Sequence, residues 1–239
     1  LIMLNNIKAN LYFLYKESFS TIIIFWVIFL ASILVFFTAA VTFDGGISFQ
    51  ISTTIPVVIF TVIFGALYVK ETFPYAVKLG TTRINFIASV AIYSIIYSAI
   101  MTALNLLFVN LFEYLIDRFN MHEEVLVSQF VPEFIERFGL WQTSIYTFFI
   151  LITIFMTSIL FSMILYRYGY IGGAISAVII LAFVFINQLR ELAYDLARFV
   201  AIGHEDFANG YLIIPPTVAF LLFAILIIRA SVISKTGKV

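Results

Sequence analysis

Thr21–Val41 reads TIIIFWVIFLASILVFFTAAV, a run broken only by small Ala, Ser and Thr residues. A helix needs about 20 apolar residues to cross the hydrocarbon core of a bilayer, so this run predicts a transmembrane helix. The rest of the chain has the same character. Of its 239 residues 63% are hydrophobic and 11% charged, whereas soluble domains carry about 25% charged residues. Too few polar groups are present to build a water-facing surface, so lipid must solvate most of the chain. The run is also longer than the apolar core of a signal peptide, about 7–15 residues, and no cleavable leader is expected. Cysteine is absent, which excludes disulfides, thiolate metal sites and a cysteine nucleophile. A net charge of zero gives no global basic field, so nucleic acid is not an expected partner.

Outward from the first run, the sequence predicts an all-α, polytopic membrane protein forming one transmembrane domain over 1–239. Residues 3–18 place Leu4, Ile7, Leu11, Leu14 and Tyr15 near helical spacing, with Asn5, Asn6, Lys8 and Asn10 opposite. That pattern predicts an amphipathic elbow helix lying in the interface. Spans are expected at about 21–42, 52–69, 86–112, 142–165, 170–186 and 211–229. The third carries a polar line at i+4 spacing, Ser89, Tyr93, Tyr97, Met101 and Asn105, beside Ser94, Ser98 and Thr102. Such groups are costly against lipid, so this face should turn into the bundle, either as glue between helices or as the lining of a transport path. Gly169, Gly173 and Ala177 are spaced four apart, a small-residue face that lets another helix approach.

Two polar regions fall between spans. In 113–140, Val127, Phe130, Val131, Phe134, Ile135 and Phe138 keep helical spacing among many charges, predicting a surface helix ahead of Trp141. In 187–210, Leu189, Leu192, Ala193, Leu196, Phe199 and Val200 oppose Arg190, Glu191, Asp195 and Arg198. This second region is too charged to span and is expected as an extracellular helix or a re-entrant element buried against protein.

Charge sets the orientation. With six spans and a cytoplasmic N-terminus, the inner side holds Lys8, Lys16, Lys70, Lys78, Arg83, Arg167, Arg229, Lys235 and Lys238, with only Glu17 and Glu71 as acids. Nine of the thirteen cations are then inside and eleven of the thirteen acids outside, as the positive-inside rule requires. Both termini are therefore expected in the cytoplasm.

Catalytic chemistry has little to work with. The phosphate-cradling G-x-x-x-x-G-K-[ST] is absent, and Thr236-Gly237-Lys238 lacks the upstream glycine. His122-Glu123-Glu124 and His204-Glu205-Asp206 each lack the second histidine of a zinc protease. Both histidines lie in expected outer loops, which argues against a serine–histidine protease at membrane depth. No acid or base falls within a span, against a proton- or sodium-driven carrier. No catalytic residue and no metal or cofactor site is expected on this chain, so any energy must come from outside it.

The candidate for receiving that energy is Lys70–Arg83, KETFPYAVKLGTTR, a charged island between the second and third spans. Pro74 suits the start of a short helix, where its missing N–H costs little, and Gly80 suits its end. Lys78 and Arg83 suit contacts with acids on a partner or with lipid phosphates. A basic loop serving only topology is the simpler alternative.

The F-P-x-A-x-x-L-G-x-T-R pattern at Phe73–Arg83, the elbow helix, six spans with both termini inside and a helical segment between the last two spans together resemble the permease subunits of ABC-2 type ABC transporters. The likeness is to small six-span exporter permeases of Gram-positive bacteria, such as those for bacteriocins or phenol-soluble modulins. It implies a bacterial plasma-membrane location and a second permease copy or a paralogue. It also implies a separate cytosolic ATPase that binds ATP and Mg, docked on a coupling segment at 70–85. By this likeness Glu71, Phe73, Pro74, Tyr75, Lys78, Leu79, Gly80, Thr81 and Arg83 form the coupling site. The implied cargo is an amphipathic or hydrophobic peptide, toxin or drug. The rival reading is a membrane scaffold or receptor that recruits a cytosolic partner without transport.

Overall fold

The computed structural model describes residues 2–42, 49–119, 125–128, 132–188, 190–191 and 209–230. The described residues are helical apart from one short strand pair: α1 (Ile2–Thr42), β1 (Phe49–Ser52), α2 (Thr54–Lys78), α3 (Arg83–Phe119), β2 (Val125–Ser128), α4 (Pro132–Phe185), a 3-10 turn (Asn209–Ile213) and α5 (Ile214–Ile228). Among the described residues, five helical stretches are long and apolar enough to cross a membrane: Ile7–Ala39, Thr54–Lys78, Arg83–Phe119, Trp141–Ser176 and Tyr211–Ile228. Their outer faces carry exposed Ile24, Ile28 and Val35 on α1, Ile55, Ile59 and Ile63 on α2, and Leu221 and Ile225 on α5. Apolar cover on this scale suits lipid rather than water. The chain has the build of a multi-pass membrane protein.

No break sets an elbow helix at 3–18 apart from the first span. α1 is one helix of 41 residues, about 60 Å long, because nothing between Lys16 and Thr21 breaks it. Ser18 Oγ donates to its own helix at Leu14 O, 2.7 Å away. The first turns pack on the bundle. Leu14 is buried, and Asn10, expected on the water-facing side, is buried and accepts a hydrogen bond at Oδ1 from Thr81 Oγ1 at 2.8 Å.

α2 likewise overruns its expected end at Val69. It continues through Pro74 to Lys78, so Pro74 lies inside the helix instead of starting a new one. Proline there removes the N–H that would bond Lys70 O, so the last turns of α2 form at the loss of one helical hydrogen bond. The end itself is a Schellman cap. Gly80 has φ +82°, its N–H reaches Val77 O at 3.0 Å, and Thr81 N–H reaches Ala76 O at 3.0 Å. Thr82 then caps α3, its Oγ1 accepting from Asn85 N–H at 3.3 Å, the usual N-cap bond to the third helical residue. Two caps back to back make the α2–α3 turn tight.

In place of part of the expected 113–140 helix, Val125–Ser128 forms a strand parallel to Phe49–Ser52, with Phe49 opposite Val125 and Ser52 opposite Ser128. Helical spacing read along one segment gave no sign of a ladder partner 76 residues away (Phe49 to Val125). Pairing of this kind depends on neighbours distant in sequence.

α4 is interrupted at Gly139 (φ 73°, ψ 166°) and Gly169 (φ 65°, ψ −152°), conformations that glycine alone adopts readily. Past Gly169 the chain doubles back. A Cβ on Gly172 would lie 3.2 Å from Ile164 O, and one on Gly173 would meet the Leu165 side chain. Along a straight helix those pairs would stand about 12 Å apart. Gly169, Gly173 and Ala177 therefore do not form one helical face: Gly169 is the turn, and Gly172 and Gly173 make the close approach. The side chain of Ala177 lies outside the described residues. So do most of the expected re-entrant segment at 187–210 and the basic tail with Lys235 and Lys238.

α2 packs most extensively on α4, α4 also packs on α3 and α5, and α1 packs on α3. Gly65 admits Phe155 to the α2 backbone. Around it Phe64, Tyr68, Tyr93, Tyr97 and Phe155 form a ring cluster, with Tyr97 stacked on Phe155 at 4.5 Å and Tyr93 on Tyr68 at 5.2 Å.

Candidate functional site: a knot of five helix segments

The island at 70–83 is where all five helices touch. Phe73 is wholly buried. Its ring packs edge-on against Tyr166 of α4 at 5.5 Å and tilted against Phe86 of α3 at 5.2 Å. On the other side of α2, Tyr75 stacks on Phe13 of α1 at 4.8 Å and 17°. Thr81 holds Asn10 of α1. Arg83 donates from its guanidinium to Ile228 O, the last carbonyl of α5, where a cation also suits the negative end of the helix dipole. Movement of this knot is therefore movement of five helices.

These contacts divide the sequence motif in two. Phe73, Gly80, Thr82 and Arg83 are taken up by the fold: one as core, two as caps and one as a clamp on α5. Thr81 is half-buried against α1. The outward set is Lys70, Glu71, Tyr75, Lys78 and Leu79, all exposed, with Leu79 at 62%. Pro74 lies half-buried between the two sets. Exposed Leu79, next to exposed Lys78, is the part of the island a soluble partner would meet. Glu71 lies within electrostatic reach of Glu17 on α1.

Asn10, Phe13, Thr82, Tyr166 and the Ile228 carbonyl were not singled out from the sequence. Thr82 had a signal: a threonine three residues ahead of a long apolar run is a capping position. The carbonyl had none.

The polar line of α3 lies inside the chain's own core. Ser89, Tyr93, Tyr97, Met101 and Asn105 are all buried. Asn105 Nδ2 donates to Thr54 Oγ1 at 3.1 Å. Thr61 Oγ1 donates to Val57 O at 2.7 Å, and a hydroxyl has one proton, so Tyr97 OH is the donor in its 3.0 Å bond to Thr61. Ser89 Oγ donates to Asn85 O at 2.7 Å. The hydroxyls of Tyr68, Tyr93 and Ser18 lie near one another toward the end of this line nearest the α2–α3 turn. Tyr97 and Asn105 thus join α3 to α2, which fits the glue alternative for these two residues. Tyr93 and Tyr97 also border an apolar groove of about 440 Å³ between α1 and α3.

The fold and the knot define a class, a helical membrane bundle with a multiply tethered polar turn. Set against models of protein families, curated proteins and solved structures, the chain matches none.

Proposed function

We propose that this chain is the membrane-spanning subunit of an ATP-driven exporter of the ABC-2 type, working with a separate cytosolic ATPase. The observation that carries the reading is the knot. Lys70, Glu71, Tyr75, Lys78 and Leu79 offer a compact docking surface, and the side chains behind it tie that surface to every other helix. A push on Leu79 reaches α1, α3, α4 and α5 without passing through a loose loop. ATP and Mg belong to the partner, and the cargo is an amphipathic or hydrophobic molecule.

In this proposal α4 crosses twice, its arms 140–168 and 170–185 meeting at Gly169, which brings the crossings to six and puts both termini and the knot on the cytoplasmic side of a bacterial plasma membrane. The chain's own inner cations favour that side. Because Tyr97 and Asn105 are spent on packing within one chain, the path for cargo lies between two permease copies rather than through one.

The chain has no cysteine, so Leu79→Cys introduces a single thiol. Co-expressed with the ATPase subunit, it should form a crosslinked pair with a short bifunctional reagent. A pair that never forms, alongside an ATPase that does not co-purify, favours a scaffold or receptor without transport.

A further inference from the structure

The groove between α1 and α3 is lined by Ile22, Trp26, Leu30, Tyr97, Ile100 and Phe108, among others, and almost no polar surface faces it. From Tyr15 to Leu30 it follows α1 for about 22 Å, against about 15 Å of hydrocarbon in one leaflet. Its α1 stripe does not stop where the groove does. Tyr15, Tyr12 and Lys8 continue it at helical spacing toward the N-terminus, and Lys16 lies one helical face over, above Ile23 and Val27. Lys8, Tyr12, Tyr15 and Lys16 are all exposed. The turns that lead into the apolar slot therefore carry Lys8 and Tyr12 ahead of it and Tyr15 and Lys16 at its mouth, cations and phenols beside an apolar channel, which is the profile of a site for an anionic amphiphile.

From this the geometry points to a bound phospholipid with an anionic headgroup: phosphate at Lys8 and Lys16, tyrosine rings at the interface, one acyl chain along the groove past Trp26. A second copy of the chain fits less well. Helix–helix contacts in a membrane need small residues to bring backbones together, and this lining is aromatic and branched throughout. Glu17, exposed next to Lys16, lies within electrostatic reach of Glu71 on α2 and of Tyr93 on the groove wall, so the two lysines face one acid at the mouth of the groove. The inference needs the chain to lie in a membrane but does not need it to be a transporter.

The chain has two tryptophans, so Trp141→Phe leaves Trp26 as the sole indole. That variant, in phosphatidylcholine vesicles, is titrated with phosphatidylglycerol or phosphatidylcholine carrying brominated acyl chains, which quench indole on contact. Flotation of the vesicles reports insertion separately. Brominated phosphatidylglycerol should quench Trp26 at a mole fraction at least about fivefold lower than brominated phosphatidylcholine, the worth of about one lysine at an anionic surface. Lys8→Gln with Lys16→Gln should abolish the preference, and Ile100→Phe should weaken quenching by both lipids. Equal quenching by the two lipids, or a preference that survives loss of both lysines, would mean ordinary bilayer contact and overturn the inference. So would quenching that falls as protein density rises, which would put a second copy in the groove.

Discussion

Gly65 and Gly173 both sit where another part of the chain passes close, yet they should respond differently to a methyl group. A Cβ at Gly65 falls 2.7 Å from Ser158 Cβ and 3.3 Å from Phe155 O, atoms that cannot move without shifting α4. A Cβ at Gly173 meets only the end of the Leu165 side chain, which can rotate. Overpacking typically costs about 1–3 kcal/mol, so Gly65→Ala should lower the thermal midpoint in detergent while Gly173→Ala leaves it nearly unchanged. The island divides in the same way. Phe73→Ala empties a buried site and should cost about 3–5 kcal/mol. Lys78→Glu should leave stability unaltered, as melting of the two variants side by side will show. Sequence could find Gly80 and Gly169 because a glycine at a helix end has a positional meaning. It could not separate Phe73 from Leu79, since a motif does not say which of its residues face inward.

At the scale of the element, α2 and α3 are held by a designed-looking hairpin turn at 79–82 and by polar contacts along their length. The bond between Thr61 and Tyr97 lies at membrane depth, where such contacts average about 0.6 kcal/mol in double-mutant cycles. A cycle with Thr61→Val and Tyr97→Phe should return a coupling near that value, and no coupling would mean the bond is not made. The apolar helices were readable because length and hydropathy alone select them. Their ends were less so. The elbow expected before α1 needed a break that no residue supplies, and Pro74 suggested a helix start because proline favours the first position of a helix, whereas it lies inside the last turns of α2. The strand pair was not visible, since each partner is four residues long and its stability comes from the other.

At the scale of the molecule, the account turns on which side of the membrane the knot faces and on what touches it. Exposed Leu79 and Trp141 are placed on opposite sides by the proposed topology. A single cysteine at each position should react with a membrane-impermeant thiol reagent from opposite faces of intact cells, Trp141→Cys from outside and Leu79→Cys only after permeabilisation. Labelling from the same side would contradict the arrangement. Composition made the membrane character plain, and the inner cations suggested an orientation. What the sequence could not supply was the wiring, because Asn10 of α1, the α2–α3 turn with Thr81 and Arg83, and the Ile228 carbonyl of α5 lie far apart in the chain and meet only when it folds. The most direct measurement is ATP hydrolysis by the co-purified pair in vesicles, comparing the intact chain with Lys78→Glu and Leu79→Asp combined. The account predicts a variant that folds and melts like the intact chain but loses the complex or its membrane-coupled turnover. A variant that binds the ATPase and drives turnover at the intact rate would contradict it.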